Sequence, residues 1–316
     1  MKIRMKKIVL WLIALCIIVA FLGRFINHYC MMKNLMGKNL SIIWAQGEAL
    51  DPNNKHVMTT MLYRQELGKT KELLEDRYSF RDFISNKDHT KLLSLIGNKK
   101  VAEYDIATRE LKDIVNIDQL DVFLKEKGYR EEHYNDAWLH CPRYYDHENK
   151  ITVLYGKFII GCSSQEGLEL LYILKTADKG YSWADNDSTL LIQQYDGRLG
   201  YCDLKTHERK DLMQKVKTIS PVAENNTFVL RKSKGGGTWL FDLEHKSFQK
   251  VCGNGFGDPE YQISADGQYL LWKDNIPVMM QEFDILYVVD LKSGKKIQFK
   301  TWGFDTPVYG MTWNWT

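Results

Sequence analysis

One short phrase recurs along this chain and constrains its fold more than any other feature. The phrase is a β-rich run, an acidic residue, an aliphatic residue, a polar turn and a second β-rich run. Clear copies lie at residues 102–111, 201–206, 240–245 and 288–295, and weaker copies lie at 64–69 and 161–164. Because Asp, Ser, Thr and Gly suit the backbone of a tight turn, each copy predicts a β-hairpin.

The spacing of these copies is close to regular. Measured at the acidic position or its equivalent (66, 105, 162, 203, 242 and 290), the gaps are 39, 57, 41, 39 and 48 residues. A second phrase precedes the hairpins, as at 181–191 and 261–271, and it supplies two further strands per unit. Gaps near 40 residues are typical of four-stranded propeller blades. The sequence therefore predicts an all-β propeller with six blades, with a seventh blade before about residue 75 as the other interpretation.

The largest gap has a local explanation in a helical pattern. Residues 117–129 place apolar side chains at 117, 120, 123 and 124, and Gly128 suits a helix C-terminus. This pattern predicts a helix inserted between the second and third blades.

The two ends of the repeat predict how the ring closes. Residues 308–315 resemble a first strand with nothing after it, whereas the first unit, residues 40–74, lacks a first strand. A propeller hides its sheet edges by closing on itself. We therefore expect the C-terminal strand to complete the N-terminal blade.

The repeat also resembles a known family. The string Ser-Ala-Asp-Gly-Gln-Tyr-Leu-Leu at 264–271, followed by Tyr-Val-Val-Asp-Leu-Lys-Ser-Gly-Lys-Lys at 287–296, is similar to the bacterial WD40-like or TolB-like propeller repeat. The likeness extends over roughly two-thirds of the chain, at the period of a propeller blade. It implies a propeller fold and does not imply an activity.

The N-terminus predicts a membrane anchor. Four cations, Lys2, Arg4, Lys6 and Lys7, precede the uncharged run 8–23. Cations beside a span favour the cytoplasmic side, so we expect residues 1–7 in the cytoplasm, a signal-anchor helix at 8–26, a linker at 27–39 and an extracytoplasmic propeller at 40–316. A cleaved signal peptide is the alternative, although no small-x-small cleavage site follows the apolar run.

The remaining chain gives little evidence for catalysis. The net charge is +3 with four cations before residue 8, so no basic patch indicates nucleic-acid binding. His133, His140, Cys141 and His147 match no zinc-ligand spacing, and no coherent acid, base or nucleophile set is present. We predict no catalytic residues, no bound metal and no cofactor. Residues 176–183 resemble the Asp-box of sialidase-type propellers, but their place in the repeat predicts a first strand.

Aromatic residues near the predicted first strands are the remaining candidates for a ligand site in the central funnel. We take five of them as the predicted ligand-binding residues: Trp183, Tyr261, Tyr309, Trp313 and Trp315. The function predicted from these observations is a membrane-anchored, extracytoplasmic binding or scaffolding module for a protein, a peptide or an envelope polymer such as a glycan. The alternative is a hydrolase or lactonase-like enzyme acting at the funnel.

Overall fold

The computed structural model is a six-bladed propeller in which every blade is a four-stranded antiparallel sheet. It describes residues 40–315 apart from short gaps, together with scattered positions between 11 and 33. The gaps are 52–53, 67–68, 87, 130–138, 146–149, 164–165, 185–187, 221–225, 233–235, 253–259, 265–266, 279–280 and 303–307. Six blades therefore confirm the main interpretation of the repeat, and there is no seventh sheet among the described strands.

Blades are numbered in chain order, and each is given from its inner to its outer strand. Blade 1 contains β24 (Val308–Trp315), β1 (Leu40–Asp51), β2 (Asn54–Glu66) and β3 (Glu72–Glu75); blade 2 contains β4 (Phe80–Ser85), β5 (Lys91–Ile96), β6 (Lys100–Asp105) and β7 (Leu111–Asn116); blade 3 contains β8 (Leu139–Tyr145), β9 (Lys150–Tyr155), β10 (Phe158–Ser163) and β11 (Gly167–Ile173). Blade 4 contains β12 (Asp178–Trp183), β13 (Thr189–Gln194), β14 (Leu199–Asp203) and β15 (Arg209–Met213); blade 5 contains β16 (Val216–Ile219), β17 (Thr227–Lys232), β18 (Thr238–Asp242) and β19 (Ser247–Cys252); blade 6 contains β20 (Glu260–Ile263), β21 (Tyr269–Val278), β22 (Gln281–Asp290) and β23 (Lys296–Trp302).

The C-terminal strand closes the ring as the sequence predicts. Strand β24 pairs antiparallel with β1, from Leu40 opposite Trp315 to Gln46 opposite Val308. It also contacts the inner strands β4 and β20 of the two neighbouring blades. The first and last strands of the propeller therefore belong to one sheet, which joins the two ends of the repeat.

Apolar side chains form six separate cores, one between each pair of neighbouring blades. Alternation along each strand sends successive side chains to opposite faces of a sheet, so a blade contributes to two cores. Ile43 and Phe80 meet between blades 1 and 2, whereas Trp44 and Leu271 meet between blades 6 and 1. The ring is thus held together by six interfaces rather than by one central core.

The inserted helix is present where the sequence predicts it. Helix α1 (Ile117–Glu126) follows β7, and Asn116 caps it by accepting a hydrogen bond from the Gln119 backbone N–H. Its buried side Leu120, Phe123 and Leu124 packs into the core between blades 2 and 3. The helix therefore fills the space between two blades without interrupting the ring.

The N-terminal prediction falls largely outside the described residues. Described positions between 11 and 33 are helical, and Trp11, Leu15, Ile18, Leu22 and Ile26 are exposed. Within the part of the chain that the structure describes, we find no helix with both the length and the apolarity needed to cross a bilayer.

Candidate binding surface

Two hairpins are much longer than the corresponding hairpins of the other blades. In blade 1, β1 and β2 have 12 and 13 residues, and in blade 6, β21 and β22 have 10 residues each. The second and third strands of the other four blades have five or six residues. Blades 1 and 6 therefore carry structure that the propeller itself does not require.

Both long hairpins project from the same face of the ring. Strand β1 continues to Asp51, five residues past Gln46, which is the last residue of β1 that pairs with the inner strand β24. Strand β21 likewise continues to Val278, five residues past Lys273, which is the last residue of β21 that pairs with the inner strand β20. Five residues of strand correspond to about 16 Å. We call the surface formed by residues 47–60 and 274–284 the hairpin face, and the opposite surface, where β1 begins and β24 ends, the terminal face.

Contacts at the seam between blades 6 and 1 place the two hairpins side by side. Lys273 is only 7% exposed, and its ammonium donates to the backbone oxygen of Val308 at 2.8 Å. It also pairs with Glu260 at 2.5 Å. A buried ammonium needs such partners because desolvation otherwise disfavours its charge. Asp284 accepts a hydrogen bond from the Val308 N–H at 3.0 Å, so the start of β24 is held from two strands of blade 6.

A glutamine joins the two blades just below the projecting segments. Buried Gln46 accepts hydrogen bonds through Oε1 from the indole of Trp302 at 2.8 Å and from that of Trp44 at 3.3 Å. The two indoles lie edge to face with their ring centroids 5.8 Å apart. The base of the hairpin face is therefore rigidly packed, as a preorganised binding surface needs to be.

Charge near this base comes from Asp274, which is buried at the first position of β21 beyond its inner partner strand. Burial raises the pKa of the Tyr287 phenol, and the negative charge of Asp274 raises it further. Tyr287 is thus held in its neutral form, with its hydroxyl able to donate a hydrogen bond.

The sequence of the blade 6 tip is apolar and contains a proline. Residues 276–280 read Ile-Pro-Val-Met-Met, and Met58 lies in the corresponding part of the blade 1 hairpin. Methionine adapts its shape to varied apolar partners and is enriched at protein interfaces. Pro277 has no backbone N–H to offer at a strand edge, which disfavours uncontrolled pairing with another strand.

Three of the five aromatic residues predicted from the sequence are buried on inner strands. Trp183 stacks on Tyr145 with ring centroids 4.9 Å apart and donates to the Thr152 hydroxyl at 3.2 Å. Tyr261 and Trp313 are 4% and 2% exposed. The hydroxyls of Tyr261 and Thr238 lie 3.1 Å apart, and the Trp313 indole donates to the Gln262 backbone oxygen at 3.0 Å. All three rings join neighbouring blades, and their ligand-binding role stays a prediction.

The other two predicted residues, Tyr309 and Trp315, belong to β24, and their side chains lie outside the described residues. His133 and His147 lie outside the described residues, whereas His140 and Cys141 belong to strand β8. In the part of the chain that the structure describes, no group of three or more His, Cys, Asp or Glu side chains could hold a metal ion.

The segment that resembles an Asp-box lies where the repeat predicts. Asp178 begins β12, the inner strand of blade 4, and its side chain is fully buried. Arg209 of the outer strand β15 donates to both of its carboxylate oxygens, at 2.8 and 2.5 Å. The aspartate therefore supports the blade, and nothing about its position indicates glycan chemistry.

The spacing of the repeat contains a signal for the hairpin face. The gap between the copies at 242 and 290 is 48 residues, about eight more than the period near 40. Strands β21 and β22 account for this excess, because each has about four residues more than its counterpart in another blade.

Comparison with known proteins follows the fold rather than the sequence. No protein-family model matches the chain, and no curated protein is similar to it in sequence. Among solved structures, TolB from Acinetobacter baumannii has a TM-score of 0.64 and 10% identity, covering 88% of this chain and 67% of TolB. The fold is that of a TolB-like β-propeller.

Two further structural neighbours come from proteins of different kinds. A chain of a nidogen/laminin complex has a TM-score of 0.57 and 11% identity, covering 87% of this chain and 98% of that one. An oligogalacturonate lyase from Vibrio parahaemolyticus has a TM-score of 0.50 and 10% identity, covering 81% and 78%. At these identities the likeness concerns the fold alone.

Proposed function

We propose that this chain is a membrane-tethered, extracytoplasmic binding module that docks a protein partner on its hairpin face. The observation that carries the proposal is the pair of lengthened hairpins, which project together from neighbouring blades above a packed seam. The apolar tip sequence of the blade 6 hairpin, which contains Met279 and Met280, fits a protein partner better than a glycan.

The position of the chain's N-terminal side supports an outward-facing arrangement. Strand β1 begins at Leu40, opposite Trp315, on the terminal face. An anchor at residues 8–26 would therefore lead into the propeller from the terminal face. The hairpin face would then point away from the membrane, where an extracytoplasmic protein can reach it.

The neighbours in the fold comparison include a protein–protein complex. One matching chain comes from a complex of nidogen with laminin, and a binding role for this propeller agrees with that use of the fold. The alternative, a hydrolase or lactonase-like enzyme acting at the central channel, agrees with the oligogalacturonate lyase neighbour.

Photo-crosslinking in intact cells tests the proposed function. A photoreactive amino acid is placed at Val57 or Val278 on the hairpin face, and at Glu110 or Glu208 in exposed turns of the terminal face as matched controls. We expect the first two positions to yield a crosslink to one protein and the controls to yield none. Equal adducts from all four positions, or none from Val57 and Val278, would contradict a protein site on this face.

A further inference from the structure

A second surface, on blades other than those of the hairpin face, lies along helix α1 between blades 2 and 3. The helix and the outer strand β11 of blade 3 enclose an open groove of about 480 Å³. Val122, Phe123 and Leu168 form its apolar part. Val122 is 58% exposed although it lies in the middle of the helix, so the groove presents apolar surface to solvent.

Two carboxylates flank this apolar surface. Asp118 and Glu126 line the same groove, one helical turn before and one after Val122. Residues four apart lie on one side of a helix, so the three side chains form a stripe of charge, apolar group and charge about 12 Å long. Neither carboxylate has an ion-pair partner in the described part of the chain. The ammonium of Lys127 lies 5.7 Å from the centre of the Phe123 ring, so the two carboxylates leave the groove with a net negative charge around its apolar centre.

The chain itself carries a surface with the complementary pattern. Phe248 on the outer strand β19 of blade 5 is 44% exposed. Exposed Lys246 and Lys250 lie two residues before and after it, and the ammonium of Lys232 lies 4.4 Å from the centre of its ring. Among the residues that the structure describes, Lys246 and Lys250 have no carboxylate partner. This surface, which we call the Phe248 patch, thus presents an aromatic ring between cations.

The two surfaces also agree in length. Lys246 and Lys250 are four residues apart in nearly extended chain, which corresponds to about 13 Å. The carboxylates of Asp118 and Glu126 are separated by two helical turns, about 11 to 12 Å. A Phe248 ring placed over Val122 would therefore bring each lysine of the patch near one carboxylate of the groove.

We propose that the α1 groove of one copy receives the Phe248 patch of a second copy. The groove lies between blades 2 and 3, whereas the patch lies on blade 5, roughly on the other side of the ring. A contact between two different surfaces repeats from copy to copy, so it builds an open row or a large ring rather than a closed two-fold dimer. In such a row every copy can keep its terminal face on the same side, and the hairpin faces form one continuous array.

The contact is small, so its affinity in solution is low. Interfaces well below the standard size of about 1,600 Å² are characteristic of transient association. Copies held on one membrane would meet at a much higher effective concentration, which favours the row without any further contact. The inference concerns the rim and is independent of what the hairpin face binds.

Charge reversal on the two surfaces tests the proposal. Variant D118K/E126K reverses the charge of the groove, and variant K246E/K250E reverses the charge of the patch. Each is made in the full-length chain and compared with the wild type by sedimentation equilibrium in mild detergent. We expect the wild type to self-associate with a Kd between about 10 and 200 μM, and each variant to associate at least about tenfold more weakly. A 1:1 mixture of the variants should recover association, because each reversed surface then meets its reversed counterpart.

The mixture also excludes misfolding as the cause of a loss. Variants that were unfolded could not restore one another, and thermal unfolding of each checks the fold separately. A matched control, E110K/E208K, makes the same change in net charge as D118K/E126K in exposed turns outside both surfaces, and we expect wild-type association from it. A monomeric wild type, association of either variant alone at wild-type strength, or a mixture that stays monomeric would overturn the proposal.

Discussion

At the scale of single residues, the most demanding arrangement is the ion pair between Asp178 and Arg209. The Arg209 guanidinium also donates to the Tyr172 hydroxyl of blade 3 at 2.7 Å, so the pair connects two blades. Burial alone would raise the pKa of Asp178, but hydrogen bonds from Arg209 and from the Lys175 backbone outweigh it and hold the pKa below its usual value. The carboxylate is therefore ionised, and its role is to hold Arg209 between the two blades.

Removing this charge leaves the guanidinium partly buried without its partner. We expect Asp178→Asn to lower the free energy of unfolding by about 3 kcal/mol, as breaking a buried pair generally does. Asp211→Asn on the same outer strand β15 is exposed and serves as the control, with an expected change within about 0.5 kcal/mol. Urea unfolding at neutral pH measures both, and equal stability of the two variants would show that the pair contributes little.

The pH dependence of the same variant has a definite sign. Because the folded-state pKa of Asp178 lies below the unfolded value of about 3.9, its stabilising contribution is full above that value and is lost as the pH falls through the folded pKa. The difference in unfolding free energy between wild type and Asp178→Asn should therefore narrow below about pH 4. A difference that is constant from pH 7 to pH 3 would contradict an ionised Asp178 as its source.

At the scale of elements, the repeated acidic residue is explained by the turn between the third and fourth strands. Asp105, Asp203 and Asp242 each accept two backbone N–H groups of their own turn, at 2.8 to 2.9 Å. These backbone hydrogen bonds lower the pKa of all three carboxyls. Asp290 accepts the Ser293 N–H in the same way. The sequence repeat thus arises because the same aspartate-capped turn occurs in several blades.

The fourth residue after each aspartate has a positive φ, and Gly294 is the glycine among them. A Cβ at Gly294 would stand 2.4 Å from the backbone oxygen of Val251 in blade 5. We expect Gly294→Ala to lower the free energy of unfolding by about 2 kcal/mol or more, from left-handed backbone strain and this clash. Lys246→Ala replaces a side chain at the same turn position in blade 5, where we expect a change within about 0.5 kcal/mol. Thermal or urea unfolding distinguishes the two, and similar effects would contradict the close approach.

Turn chemistry explains why the blade count, the helix and the ring closure could be predicted from sequence. An aspartate such as Asp203 is required by local backbone geometry, and Asn116 with Gln119 caps α1 through equally local bonds. The length of a hairpin beyond the ring is set by no such local rule. The hairpin face therefore appeared in the sequence only as an irregular gap.

For the predicted aromatic site, the sequence gives the strand of each residue but not the direction of its side chain. Residues such as Trp183 and Tyr261 do lie on inner strands, as their position in the repeat indicates. Alternation along a strand does not say whether a ring packs against the next blade or lines the channel. The rings are buried between blades because of contacts such as that of Trp183 with Thr152, two residues that are 31 positions apart in the sequence.

At the scale of the whole molecule, the ring is closed by strands from the two ends of the propeller, and the N-terminal segment leads to the closure point on the terminal face. We expect the full-length protein to remain in the membrane fraction after alkaline carbonate extraction, and a tag at the C-terminus to be accessible from outside the cytoplasm. Full-length protein in the soluble fraction would overturn the anchor at 8–26, and a shortened soluble product would favour a cleaved signal peptide.

The central claim is that the hairpin face is the binding surface, and shortening the hairpins tests it most directly. Residues 48–59 and 276–283 are each replaced by Asn-Gly, which suits a two-residue turn between the paired residues Gly47 and Thr60 and between Asn275 and Asp284. The partner is first identified by crosslinking from Val57 or Val278 in the unshortened chain. Its co-purification with the shortened chain is then measured, with thermal unfolding as the check on folding. We predict a folded ring that no longer retains the partner; retention at the wild-type level would contradict the account.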